Sequence, residues 1–202
     1  MANRKITIDY RMSLIDLIDN TKTDKNTVHS YLELYQRLLA PKEHTAKNVL
    51  EVGIYDGGSI KLWSDFFTNA TVYGLDIMPK TKVWEKIQNN PNIRLYTEQN
   101  AYDDAFFQKT FLDENIRFDF MLDDGPHTLD SMLQFIRLYS QIMTEDGILI
   151  IEDVQSINWL PTLKSAVPAH LSPFVKTYDL RGNKGRYDDV VFTIDCSNRN
   201  SM

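Results

Sequence analysis

Two acidic clusters each close a run of apolar residues. One is Phe118-Asp119-Phe120-Met121-Leu122-Asp123-Asp124-Gly125-Pro126-His127; the other is Gly147-Ile148-Leu149-Ile150-Ile151-Glu152-Asp153. Each reads as a buried strand that stops at carboxylates. As parallel neighbours, such strands lie roughly 4.8 Å apart, and Asp124, Glu152 and Asp153 would crowd at one sheet edge. Crowded carboxylates resist ionisation unless something positive sits among them. A hard divalent cation with oxygen ligands, Mg²⁺ or Ca²⁺, is the economical answer. The plainer alternatives are an Asp-Gly-Pro turn whose Asp124 starts the next helix, with His127 lining it, and a solvated loop at Glu152-Asp153.

A third pattern is Asn48-Val49-Leu50-Glu51-Val52-Gly53-Ile54-Tyr55-Asp56-Gly57-Gly58-Ser59, a strand, a glycine-rich turn and a helix start. Glycines allow close backbone approach, and a helix N-terminus offers free N–H groups. The spacing Gly53, Gly57-Gly58 does not match the dinucleotide fingerprint G-x-G-x-x-G. The next strand ends at Asp76, where an acid about 20 residues after the turn commonly binds ribose hydroxyls. The strand after that ends at Glu98-Gln99-Asn100, suited to an adenine edge. Together these positions suggest a nucleoside ligand without a pyrophosphate.

The elements that must hold these residues alternate from about residue 47. Strands are expected at Asn48–Val52, Thr71–Leu75, Ile93–Tyr96, Phe118–Leu122, Ile148–Ile151, Phe174–Tyr178 and Val190–Ile194. Helical spacing joins Ile60, Trp63 and Phe67, and again Met132, Phe135, Ile136 and Tyr139. Alternation implies an α/β fold, a doubly wound, Rossmann-like sheet of about seven strands covered on both faces. Arg181-Gly182-Asn183-Lys184-Gly185 reads as a turn, which makes the last strand antiparallel. Before this core, residues 1–45 form an N-terminal helical extension. Its amphipathic helix Ser30–Leu39 has Tyr31, Leu34, Tyr35 and Leu38 on one side, and Pro41 helps to end it. The expectation is one domain over 1–202, with the cofactor-binding core at 46–196.

Composition narrows the partners. A net charge of −6 over 202 residues argues against a nucleic-acid backbone. One cysteine, Cys196, excludes an internal disulfide and fits a reducing compartment. No apolar run approaches the roughly 20 residues of a membrane span. A cytoplasmic protein is expected.

These residues resemble the class I S-adenosylmethionine-dependent methyltransferases, through Glu51-Val52-Gly53, Asp76 and Glu98. More narrowly, Thr23-Asp24-Lys25, His29-Ser30-Tyr31, the Glu51–Ser59 turn, Trp63, Asp123 to His127 and Glu152-Asp153 resemble the metal-dependent sugar O-methyltransferases of macrolide tailoring. That is the macrocin and mycinose group, with cephalosporin-hydroxylase-like relatives. The resemblance covers roughly residues 21 to 195. It implies S-adenosylmethionine held by Gly53, Tyr55, Ser59, Asp76, Glu98, Gln99 and Asn100, with Asp123 facing the methionine part. It implies Mg²⁺ or another hard dication on Asp124, Glu152 and Asp153, and His127 as catalytic base beside Asp124. Pro126 stands where the group commonly has serine, and Glu98-Gln99-Asn100-Ala101 where relatives often carry Asp-Gln-Ser-Asp. The larger members carry further N-terminal domains, so their macrolide substrates are not carried over.

Methyl transfer to a hydroxyl needs in-line alignment, a metal to acidify the hydroxyl and a neutral imidazole to take its proton. The leading expectation is a metal-assisted O-methyltransferase for a sugar hydroxyl of a glycan or glycosylated metabolite. It would act within a larger glycan-building protein or as a homo-oligomer. The rivals are a catechol-like acceptor, a catalytically silent binding module and a nicotinamide-dependent oxidoreductase, which the glycine spacing disfavours. His29 and Tyr31 close over the cofactor or simply pack at a helix start. Arg186-Tyr187-Asp188-Asp189 borders an acceptor pocket or forms a surface ion cluster.

Overall fold

The computed structural model describes residues 13–199; the first part of the expected N-terminal extension lies outside them. Seven strands form one sheet in the order β3-β2-β1-β4-β5-β7-β6. They are β1 (Asn48–Val52), β2 (Thr71–Leu75), β3 (Ile93–Tyr96), β4 (Phe118–Asp123), β5 (Met143–Ile151), β6 (Val175–Asp179) and β7 (Val190–Asp195). Only β7 runs antiparallel to its neighbours. This is the doubly wound α/β sheet expected from the alternating pattern.

Both faces are buried, so the central strands read as continuous apolar runs. Leu50, Met121, Leu149 and Ile151 point into one core, and Val49, Phe120, Leu122, Ile148 and Ile150 into the other. Four helices matter for the site: α1 (Leu32–Leu39), α2 (Gly58–Phe66), α3 (Leu129–Tyr139) and α4 (Leu160–Ala166). α1 and α2 cover the Phe120 side. There Trp63 packs edge-on to Phe120 (centroids 5.3 Å apart), with Phe67 at 5.8 Å. α3 and α4 cover the other side through Met132, Phe135, Ile136 and Leu163.

Some boundaries differ from expectation. The helix expected at Ser30–Leu39 starts at Leu32, ends at Leu39 as expected and leads into a tight turn, Ala40–Lys42, that contains Pro41. A proline fits there because the opening N–H groups of a turn have no partner to lose. The β5 strand begins earlier, at Met143, where Phe118 supplies a partner across an irregular register. The turn before β7 contains a short helix, Arg181–Lys184, closed by Gly185 at φ 73°.

The register sets the site. Val52 pairs with Leu75 and with Asp123, and Asp123 pairs with Ile151. The next residues, Asp76, Gly53, Asp124 and Glu152, therefore share one edge in that spatial order. Because β7 is antiparallel, its start lies at this edge too, and Asp188-Asp189 come beside Asp153. Phe120→Ala is expected to lower stability by about 3–5 kcal/mol, read as a shift of the urea midpoint at constant slope. A loss under 1 kcal/mol would mean that the aromatic layer under the site is not tightly packed.

Candidate functional site

One cleft of about 1070 Å³ runs along this edge. At the β2–β1 end it is walled by Gly53, Tyr55, Ser59, Asp76, Gln99 and Asn100, at its centre by Asp124, His127 and Asp153, and at the β7 end by His29, Arg186 and Asp188. The turn after β1 depends on Gly53. Its φ is 82°, and a Cβ there would lie 1.9 Å from the Asp124 carbonyl oxygen. Asp76 braces the same turn, accepting from the Tyr55 N–H (2.9 Å) and the Met78 N–H (2.9 Å). Tyr55, His127 and Asp153, all non-glycine, adopt φ of 49°, 54° and 54°. Left-handed conformations at such residues cost energy and concentrate at functional sites. The loop carrying Asp124 to His127 is fixed at both ends. The Asp124 N–H bonds the Val52 carbonyl (2.9 Å), and Thr128 caps α3 in a reciprocal box with Ser131.

The carboxylates do crowd, and the first positive charge among them is a lysine. Lys25, 1% exposed, reaches Asp124 (2.7 Å), Glu152 and Glu51 (3.4 Å). Burial works against its charge, but the three carboxylates outweigh that and hold its pKa well above the usual value. Burial opposes ionisation of Asp124 also, yet Lys25 and His127 bring its pKa down to about 2. Burial and the neighbouring Asp124 charge push Glu152 well up, and burial raises Glu51 to about 7. Glu152 additionally accepts from the Tyr35 hydroxyl, and Asp153 from the Tyr31 hydroxyl. His127 Nε2 lies 3.1 Å from Asp124 and 3.5 Å from Asp153. Burial alone would lower its pKa; the bond to Asp124 and the surrounding carboxylates raise it.

Donor atoms of Asp124, His127 and Asp153 lie within 4.8 Å of one another. The two carboxylates at this separation suit a hard divalent cation with oxygen ligands, and the imidazole lies beside them. Glu152, the third metal residue expected from the sequence, turns to Lys25 and Tyr35 instead. Gly53, Tyr55, Ser59, Asp76, Gln99 and Asn100 come together on the cleft wall, whereas Glu98 is exposed and off it. Asp123 is buried beneath, accepting from the Tyr102 hydroxyl, and burial raises it to about 7. Sequence reasoning gave Lys25 no place among the carboxylates, and placed His29 only over the cofactor or at a helix start. Their only signal was membership in the Thr23–Tyr31 motif.

Sheet order, glycine turn and edge acids define a Rossmann-like fold of the class I methyltransferase type. The resemblance seen in the sequence is borne out by known proteins. The chain is 30% identical over 133 residues to an 8-demethyl-8-(2-methoxy-alpha-L-rhamnosyl)-tetracenomycin-C 3'-O-methyltransferase of Streptomyces olivaceus, covering 62% of this chain and 32% of the relative. It is 29% identical over 140 residues to a mycinamicin VI 2''-O-methyltransferase of Micromonospora griseorubida, covering 65% and 33%. The chain thus spans about a third of the length of these two relatives. The structure of MycE methyltransferase from the mycinamycin biosynthetic pathway, in complex with Mg, SAH and mycinamycin VI, superposes with a TM-score of 0.68. That match is 22% identical and covers 92% of this chain and 55% of that one. No family model matches the chain.

Two outcomes are expected at this edge. Lys25→Met should cost about 3–5 kcal/mol in EDTA, since it leaves buried carboxylates without their cation; an unchanged urea midpoint would remove Lys25 from the charge balance. The second concerns pH. A carboxyl whose pKa is raised on folding binds its proton more tightly in the folded state, so its contribution falls as pH rises from about 4 to about 7. Asp123→Asn lacks that penalty. Between pH 5 and pH 8 its stability relative to the parent should therefore rise, and a pH-independent difference would rule out a raised Asp123.

Proposed function

We propose that the chain is an S-adenosylmethionine-dependent, divalent-metal-assisted O-methyltransferase acting on a sugar hydroxyl of a glycan or glycosylated metabolite. What carries the reading is one observation: the nucleoside-type wall and the Asp124–His127–Asp153 cluster lie in a single cleft. The names of the relatives support it, since each specifies a sugar-bearing acceptor or its O-methylation. No helix among the described residues is long and apolar enough to cross a membrane. A cytoplasmic setting goes with the reading, as do a larger glycan-building protein or a homo-oligomer.

When bound, the cofactor supplies an electrophilic methyl group, and a hard dication supplies the charge that makes a hydroxyl more acidic. The chain's own residues do the rest. Gly53 lets the backbone approach the cofactor, while Asp76 offers its remaining lone pairs to the ribose. Tyr55, Ser59, Gln99 and Asn100 complete that wall, and Glu98 would have to turn in from outside it to reach the adenine edge. Asp123, under the turn, orients the methionine end. Asp124 and Asp153 would hold the metal, with Glu152 beside them. His127 takes the hydroxyl proton. The carboxylates that raise its pKa are those assigned to the metal, so sharing their charge with a dication relaxes their hold and frees the imidazole to act as base.

Calorimetry is expected to show S-adenosylhomocysteine binding and no NAD binding; the reverse result ends the methyltransferase reading. Labelled methyl transfer to a panel of deoxysugar glycosides should vanish in EDTA and return with Mg²⁺. In His127→Ala, turnover should drop by about 10²–10⁴ with cofactor affinity kept. Full turnover without metal, or in that variant, would contradict the assigned roles.

A further inference from the structure

The β7 end of the cleft contains a histidine that the mechanism does not use. His29 is 5% exposed, and its Nδ1 faces two carboxylate oxygens, Asp189 Oδ1 at 2.7 Å and Asp153 Oδ1 at 3.3 Å. Two acceptors in front of one ring nitrogen require Nδ1 to carry hydrogen. The arrangement is built rather than incidental. Asp189 is fully buried, and its second oxygen accepts from the Ser30 hydroxyl (2.8 Å). Lys184 donates to the His29 carbonyl (2.9 Å) and to those of Asn26 and Thr27. The ring stacks on Tyr31, 5.0 Å between centroids.

Among the described residues, everything that fixes the ring acts on Nδ1, on its flat face or on its backbone. Nε2 is left over. Its nearest carboxylate, Asp24 Oδ2, is 3.8 Å away and belongs to an exposed side chain. His29 and Asp24 both line the cleft. A buried carboxylate that sets the tautomer of a histidine, so that the far nitrogen meets a ligand, is the positioning logic of a histidine–aspartate pair.

We propose that His29 is a specificity-determining residue, whose Nε2 hydrogen-bonds a second hydroxyl of the acceptor, neighbouring the one that is methylated. Asp189 is its positioning residue. This deepens the reading of the cleft as a sugar site and rests on it. The placement supports it: by sheet order the cofactor wall lies over β2 and β1, the metal cluster over β4 and β5, and His29 beyond them beside β7. His127 and His29 flank Asp153, one at each of its oxygens. An acceptor reaching His127 thus has His29 on the side away from the cofactor wall. A hydroxyl both donates and accepts, so it satisfies Nε2 in either state of the ring. A deoxygenated or already methylated neighbour would lose the contact or part of it, and sites that hydrogen-bond a hydroxyl discriminate strongly against its absence.

The test uses methyl α-L-rhamnopyranoside and its 2-, 3- and 4-deoxy counterparts as probes, titrated by ligand-observed NMR with S-adenosylhomocysteine and Mg²⁺ present. Binding of one deoxy probe to the parent protein is expected to be about tenfold weaker. His29→Phe and His29→Asn should then bind the rhamnoside as weakly as that probe and ignore the deletion, with S-adenosylhomocysteine affinity within about twofold. The Asn variant decides if Phe disturbs the fold, because its amide still donates to Asp189 while nothing replaces Nε2. The proposal is overturned if His29→Asn keeps the parent's hydroxyl preference, or if the parent has none. Loss of all sugars together with the cofactor in His29→Asn would make His29 structural and overturn it too. A parent protein that binds rhamnosides but does not bind S-adenosylhomocysteine would instead undo the methyltransferase reading.

Discussion

The site depends on one buried cation among carboxylates. Parallel strands deliver their carboxyl ends to the same edge, and here β1, β4 and β5 each deliver an acid within reach of the others. Glu51, Asp124 and Glu152 could not all be ionised in a dry edge without compensation. Lys25 supplies it, from a segment that precedes the first strand. A buried ion pair of this kind contributes little net stability compared with apolar packing, but losing one partner is costly. Its consequence is therefore geometric: the segment from Lys22 to Tyr31 must lie across the carboxyl edge.

That segment is fastened along its length by the same chemistry. Lys22 pairs with Asp56 (3.2 Å), and its backbone lies so close to the start of α2 that a Cβ on Gly58 would sit 2.1 Å from its carbonyl oxygen. Farther on, His29 and Ser30 hold Asp189, and Tyr31 donates to Asp153. The segment up to His29 is thus a wall of the cleft, and α1 after it packs on the sheet. Among the described residues Lys25 is the one lysine on these carboxylates; it leaves out Asp153 and the Asp124 oxygen facing His127, which meet histidines and the Tyr31 hydroxyl instead. That remainder is what a divalent cation would meet.

Much of this was legible in the sequence because the strands are short apolar runs bounded by turn residues. Asn48–Val52, Thr71–Leu75 and Ile93–Tyr96 fall where the pattern places them. The edge acids follow from the same reading, since a buried parallel strand has only its end in which to place a charge. What the pattern does not contain is which acid meets which base. Lys25 lies 99 residues from Asp124 and 127 from Glu152, and no periodicity links them. Glu98 shows the other limit. A residue just past a strand can turn either way, and at φ 57° this one turns outward, leaving Gln99 and Asn100 on the wall.

Asp153 shows why the two halves of the cleft cannot be read separately. It sits at φ 54°, an unfavourable conformation for an aspartate, held by the Val154 N–H bond to the Val190 carbonyl (3.1 Å). In that position one oxygen faces His127 and the other faces His29 and the Tyr31 hydroxyl. A residue in the ordinary extended continuation of β5 would carry its carboxylate in another direction and leave the two imidazoles without a common partner. This one side chain is thus the common partner of the residue assigned to proton removal and the residue assigned to acceptor recognition. It also accounts for why the antiparallel β7 belongs to the site, because only a strand entering from this edge brings Asp188 and Asp189 against Asp153.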